Sequence, residues 1–127
     1  MSASSKVVAW FEIPSVDFDR AVRFYEAALD VTLNRQEFGG QPIAVFDCEE
    51  PATRGAVVHS PSMTPNGDGV LVYLNAHPTV DAALARIEEA GGKTDGPVIK
   101  LPQDIGYIAF FIDSEGNRLG LHSRTNG

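Results

Sequence analysis

The chain has 127 residues, enough for one compact domain with a real core. At 43% hydrophobic and 21% charged it has a globular composition, and a net charge of −7 without any Lys/Arg cluster argues against nucleic acid and anionic membranes as partners. No apolar run approaches the ~20 residues of a membrane helix, the start "MSASSKVVAWFEIP" lacks a signal-peptide pattern, and the single cysteine, Cys48, excludes an internal disulfide and any multi-cysteine metal site, so the expected location is the cytoplasm.

Val7–Ile13 is a short run of β-formers closed by Pro14, which predicts a strand. Asp17 is placed to cap a helix, and Phe18, Ala21, Val22, Tyr25, Ala28 and Leu29 recur after it at helical spacing. Three strands are predicted next: Thr32–Phe38 and Gln41–Asp47, joined by the two-residue turn Gly39–Gly40, then Ala56–Ser60. Residues 61–69, rich in Pro, Gly, Asn and Ser, read as a linker. The order then repeats. Val70–Leu74 predicts a strand; Val80, Ala83, Leu84, Ile87 and Ala90 form a helical face stopped by Gly91–Gly92; Gly96–Lys100, Tyr107–Ile112 and Arg118–His122 predict three more strands.

The two halves also match residue by residue. An offset of 62 sets Trp10 on Val72 and Asp19-Arg20-Ala21 on Asp81-Ala82-Ala83, and an offset of 63 sets "AVVHS" (56–60) on "LGLHS" (119–123). This predicts one α+β domain over 1–127 made of two repeats, about 6–60 and 70–123. A half of about 55 residues leaves one sheet face uncovered, and packing two halves together buries it.

Three stretches carry a resemblance: "VDFDRAVRFYEAAL" (16–29), "DAALARIEEAGGK" (81–93) and "GYIAFFIDSEGNRLGLHS" (106–123). The helix Asp-x-Asp-Arg-Ala…Phe-Tyr, followed late in the chain by Asp-x-x-Gly-Asn, resembles the glyoxalase / bleomycin-resistance / extradiol-dioxygenase superfamily, also called vicinal oxygen chelate. The resemblance implies two tandem βαβββ modules forming an incomplete, barrel-like cleft with helices outside, and commonly a homodimer. It also implies, in many members, a divalent metal held by His or Glu from the first and last strand of each module.

In that pattern the last-strand ligand follows the Asp-x-x-Gly-Asn turn, and the position holds Gly120. The repeat carries this to Val57. Counting seven back from Asp17 gives the first-strand position, Trp10, and the repeat carries that to Val72. None of Trp10, Val57, Val72 and Gly120 ligates a metal through its side chain, so no metal and no cofactor are expected. A glycine inside a strand weakens it. Either Trp10 fills the space that Gly120 leaves, or both are plain core.

Alternation along strands then points to Glu12, Leu74, His59 and His122, each two residues beyond one of the four positions. Glu12, His59 and His122 form a candidate acid/base group if they converge. Otherwise the histidines end their strands hydrogen-bonded to backbone or to Ser60 and Ser123, and Glu12 pairs with Arg118 or lies partly exposed. The expected ligand-binding set is Trp10, Glu12, Val57, His59, Val72, Leu74, Gly120 and His122. His77 reads as solvent-facing, Phe24 and Tyr25 as core, and Asp113 and Asn117 as shaping the hairpin turn. The favoured function is metal-free binding of a small, partly apolar molecule in the inter-module cleft. The alternatives are a metal-independent lyase or isomerase using Glu12 with His59 or His122, a metal-dependent lactoylglutathione-lyase-like enzyme with relocated ligands, and a domain kept for assembly.

Overall fold

The computed structural model describes residues 7–126. The first half contains β1 (Trp10–Pro14), α1 (Phe18–Leu29), β2 (Leu33–Phe38), β3 (Gln41–Phe46) and β4 (Arg54–Val58). The second contains β5 (Tyr73–Asn75), α2 (Val80–Ala90), β6 (Lys93–Thr94), β7 (Ile99–Leu101), β8 (Gly106–Ile112) and β9 (Arg118–Ser123). Each half makes one sheet, in the orders β1-β4-β3-β2 and β5-β9-β8-β6, with β7 also on β8. β1 runs parallel to β4, and β5 to β9. β6 and β7 pair successive stretches of β8 and stand where β2 stands in the first half. The repeat is thus visible in the topology as two βαβββ modules.

Several boundaries differ from the sequence reading. The expected strand 96–100 forms only from Ile99, as β7, and a second short strand, β6, precedes it at Lys93–Thr94; Pro97 between them has no N–H to give the ladder. β5 begins at Tyr73, since Val70 stands out in solvent, and β4 ends at Val58 rather than Ser60. Both helices start as their sequences dictate. Asp17 Oδ1 accepts the Arg20 N–H (3.1 Å), and Thr79 Oγ1 accepts that of Ala82 (3.2 Å). Gly91 closes α2 at φ 105°, a conformation that costs glycine little. No helix among the described residues is long and apolar enough to cross a membrane.

One hydrophobic core joins the halves. It takes Ala21, Val22, Phe24, Tyr25 and Ala28 from α1, Val80, Ala83 and Ile87 from α2, and one face of each sheet. Two rows run across that helix-covered face: Ile13, Val57 and Ala44 in the first sheet, and Leu74, Leu121 and Ala109 in the second. Each large aliphatic or aromatic side chain buried here contributes about 1.5–3 kcal/mol.

A polar joint ties α1 to the β8–β9 turn. Asp113 Oδ1 accepts the N–H groups of Glu115 (2.8 Å) and Asn117 (2.9 Å), which shapes the turn. Its Oδ2 accepts the buried Tyr25 hydroxyl at 2.6 Å, and Asn117 Nδ2 donates to the Pro14 carbonyl at 2.8 Å. Glu115 Oε1 accepts the N–H groups of Val16 and Asp17 ahead of α1, while Oε2 accepts Arg20 Nε at 2.8 Å. Burial, followed by the Asp113 charge, pushes the Tyr25 phenol well above its usual range.

Candidate functional site

Each sheet turns its other face away from the helices. The cross-strand row on that open face is Glu12, Ala56 and Val45 in the first sheet and Tyr73, Gly120 and Phe110 in the second. Trp10 shares the face with Glu12, and His122 with Gly120, as strand alternation requires. Val57, Val72 and Leu74 do not. Val57 and Leu74 are buried on the helix side, and Val72 packs against the same core. The cause is a slip between the repeats at both ends. Ala56, not Val57, matches Gly120 on the open face, so the last strands correspond at an offset of 64 rather than 63. For Val72 and Leu74 the slip lies before the helix: three residues, 15–17, join β1 to α1, but four, 76–79, join β5 to α2. An offset that is right for the helix caps is therefore wrong by one for the strand, and a one-residue slip exchanges the faces.

The first sheet's open face holds a cavity of about 480 Å³, walled by Trp10, Phe38, Ile43, Val58 and Met63, with Glu12 and His59 among its polar lining. Trp10 Nε1 donates to Glu12 Oε2 at 3.2 Å. Arg118, the expected partner of Glu12, instead donates from Nε to Asp95 at 2.7 Å and lies over the Phe110 ring, 4.4 Å from its centroid. His59 Nδ1 lies 3.0 Å from the Ser15 carbonyl oxygen. A carbonyl only accepts, so Nδ1 carries the proton and Nε2 of the neutral ring is left as an acceptor.

The second sheet's open face is built differently. The Tyr73 ring lies across Gly120, so that a Cβ at Gly120 would collide with it. Phe110 meets Tyr73 edge-on at 5.8 Å between centroids. The residue that uses the space above Gly120 is thus Tyr73 and not Trp10. His122 donates from Nε2 to the Ile105 carbonyl at 2.6 Å. Glu12 and His59 line one cavity, and neither Gly120 nor His122 is in its wall, so within one chain the proposed acid/base trio separates there into a pair and a lone histidine. Val72 and Leu74 line another cavity, apolar and about 590 Å³, between the halves with Phe11, Leu29 and Phe46.

The side chains present do not suit the divalent metal that the fold implies. The structurally matched first- and last-strand positions on the open faces are Glu12, Ala56, Tyr73 and Gly120, and only one carries a carboxylate. Among the described residues no three His, Cys, Asp or Glu side chains cluster as a metal site. Reading the sequence alone overlooked Phe38, Ile43, Met63 and Tyr73. Phe38 beside the Gly39–Gly40 turn was a usable signal, since an aromatic at an exposed hairpin end has no core to join.

The model of the Glyoxalase/Bleomycin resistance protein/Dioxygenase superfamily matches residues 7–121. Among solved structures, TnmS3, an antibiotic binding protein from Streptomyces sp. CB03234, is 26% identical at a TM-score of 0.66, over 99% of this chain and 100% of that one. A glyoxalase/bleomycin resistance protein from the same organism is 28% identical at a TM-score of 0.66, over 91% and 99% of the two chains. A glyoxalase I mutant from Zea mays shares the fold at 19% identity and a TM-score of 0.64; this chain covers 91% of its own length but 45% of the maize chain. No curated protein sequence matches the chain.

Proposed function

The chain belongs to the glyoxalase/bleomycin resistance protein/dioxygenase superfamily, and on that footing we propose that it binds a small, partly apolar molecule without the help of a metal ion. The observation that carries this reading is the cavity on the first sheet's open face, where apolar walls surround a few polar groups: Glu12, His59 and Gln41. Apolar lining with a small number of placed polar groups is the usual make-up of a small-molecule site. The larger cavity between the halves is mostly hydrocarbon and offers a ligand less to orient it. The likeness to TnmS3, named as an antibiotic binding protein, supports binding as the task. The poor donor set supports independence from metal.

We further propose a homodimer. β1 and β5 are the outer strands of their sheets, each with one edge unpaired among the described residues, and a second copy can bring its Gly120/His122 face toward Glu12 and His59. The lone cysteine fits a reducing cytoplasm. A second reading, metal-independent acid/base chemistry, draws on Glu12 and His59 lining one cavity, His59 with a free Nε2 acceptor.

The test combines metal analysis of protein purified without chelators with a thermal-shift screen of small molecules. Hits are then followed through the emission of Trp10, the only tryptophan. The reading requires no stoichiometric metal, and stabilising ligands that change Trp10 emission. Hits that leave the emission unchanged move the site to the cavity between the halves. Sedimentation of the free protein tests the dimer.

A further inference from the structure

Within one chain, the open-face cavity has a one-sided charge. Glu12 is the only carboxylate in its lining, and no lysine or arginine lines it. The carboxylate takes a hydrogen bond from the neutral indole of Trp10 and has no cationic side chain within ion-pair distance among the described residues. The neutral ring of His59, with Nδ1–H given to the Ser15 carbonyl, offers Nε2 as an acceptor. Ser60 and Ser62 hydrogen-bond each other at 2.9 Å, and Gln41 is neutral. The cations on the neighbouring strands make no ion pair with Glu12. Arg118 lines an adjoining cavity together with Glu12 but pairs with Asp95, and Arg54, across from Trp10 in the register, lies outside the lining.

Around this carboxylate stand groups that favour positive charge. Trp10 and Phe38 both line the cavity and are 44% and 68% exposed. Aromatic faces attract cations through the ring quadrupole, and indole does so best. A chain of net charge −7 also draws cations toward its surface. A neutral apolar ligand would strip water from Glu12 and return nothing for it, and an anion would add repulsion.

Resting on the binding reading above, we propose that the ligand is an organic cation: a protonated or quaternary amine on an apolar body, with its charge against Glu12 and its hydrocarbon against Trp10, Phe38 and Ile43. Of the two components, the carboxylate sets the sign of the ligand and the rings set the preference for a diffuse charge over a small hydrated one.

The experiment titrates the protein with three probes of similar shape, followed by Trp10 emission and by calorimetry: benzyltrimethylammonium, its neutral isostere neopentylbenzene, and phenylacetate. The cation should bind roughly 10-fold tighter than the neutral isostere, with phenylacetate weakest. In Glu12→Gln the cation's advantage should fall to within about 2-fold while the affinity of the neutral probe is unchanged. Glu12→Asp, which keeps the charge, should retain most of the preference and shows that any loss in the glutamine variant is one of charge and not of folding. Equal binding of cation and neutral isostere in the unaltered protein, or a preference that survives Glu12→Gln, overturns the cation assignment and leaves the binding reading standing. No response to any probe into the millimolar range also overturns the cation assignment, while the thermal-shift screen decides the binding reading separately.

Discussion

Replacing Glu115 with glutamine tests the joint between the halves. The Glu115 side chain has no solvent exposure. Burial raises its carboxyl, but the Arg20 side chain, the Asp17 N–H, the Ser114 hydroxyl and the Val16 N–H outweigh that and hold it at about 2, against an ordinary 4.5. At about 1.4 kcal/mol per unit, this difference amounts to about 3 kcal/mol of folding free energy. A carboxyl depressed in the folded state contributes fully above the unfolded value and loses its contribution as pH falls toward the folded one. The window is therefore 4.5 down to about 2, with more than half of the contribution gone by about pH 3. Urea unfolding of the wild type and Glu115→Gln, followed by circular dichroism across this range, isolates the group, because all other titrations are common to both. The glutamine variant should be less stable by about 3 kcal/mol near pH 7, and the gap should narrow to about 1 kcal/mol near pH 3. Two curves that stay parallel through the window would refute the assignment of the joint to Glu115.

Tyr25→Phe removes the hydroxyl that Asp113 accepts, and should cost about 1–3 kcal/mol in the same assay. Because the folded phenol is raised above 10.0, wild-type stability should also decline as pH climbs past that value, a decline that Tyr25→Phe should lack. Gly120→Ala forces the Tyr73 ring out of its place and should destabilise by about 1–3 kcal/mol, whereas in a Tyr73→Ala background the same change should be nearly neutral; equal costs in both backgrounds would contradict the close approach. Leu121→Ala, in the middle of the buried row of the second sheet, should cost about 2–5 kcal/mol by thermal or urea unfolding.

The fold was legible because its signals are local. The cap Asp17, the stripe from Phe18 to Leu29, the stop Gly91 and the Asp113–Asn117 turn each depend on residues a few positions apart, and each stands where the sequence sets it. The face of a strand is not local in that way. It depends on how many residues separate the strand from the next fixed element, and the extra residue between β5 and α2 moved Val72 and Leu74 to the buried side. Glu12 and Trp10 escaped the error because they were counted from Asp17 within their own half. Gly120 escaped it because the Asp113–Asn117 turn adjoins it. The partner of Gly120 was illegible for a different reason: Tyr73 reaches it by strand pairing across 47 positions of sequence, and no spacing rule reports that neighbour. His59 and Glu12 lining one cavity likewise depends on β1 and β4 running parallel, a fact of topology.

The joint at Glu115 also bears on how far the two halves are separate objects. The helix of the first half begins on a carboxylate that the second half supplies, and a tyrosine of that helix rests on an aspartate from the same second half. Severed anywhere in residues 61–69, the pieces would have to find one another before either could be complete. Neither half is a finished object by itself, because the start of one helix is written in the other half's turn.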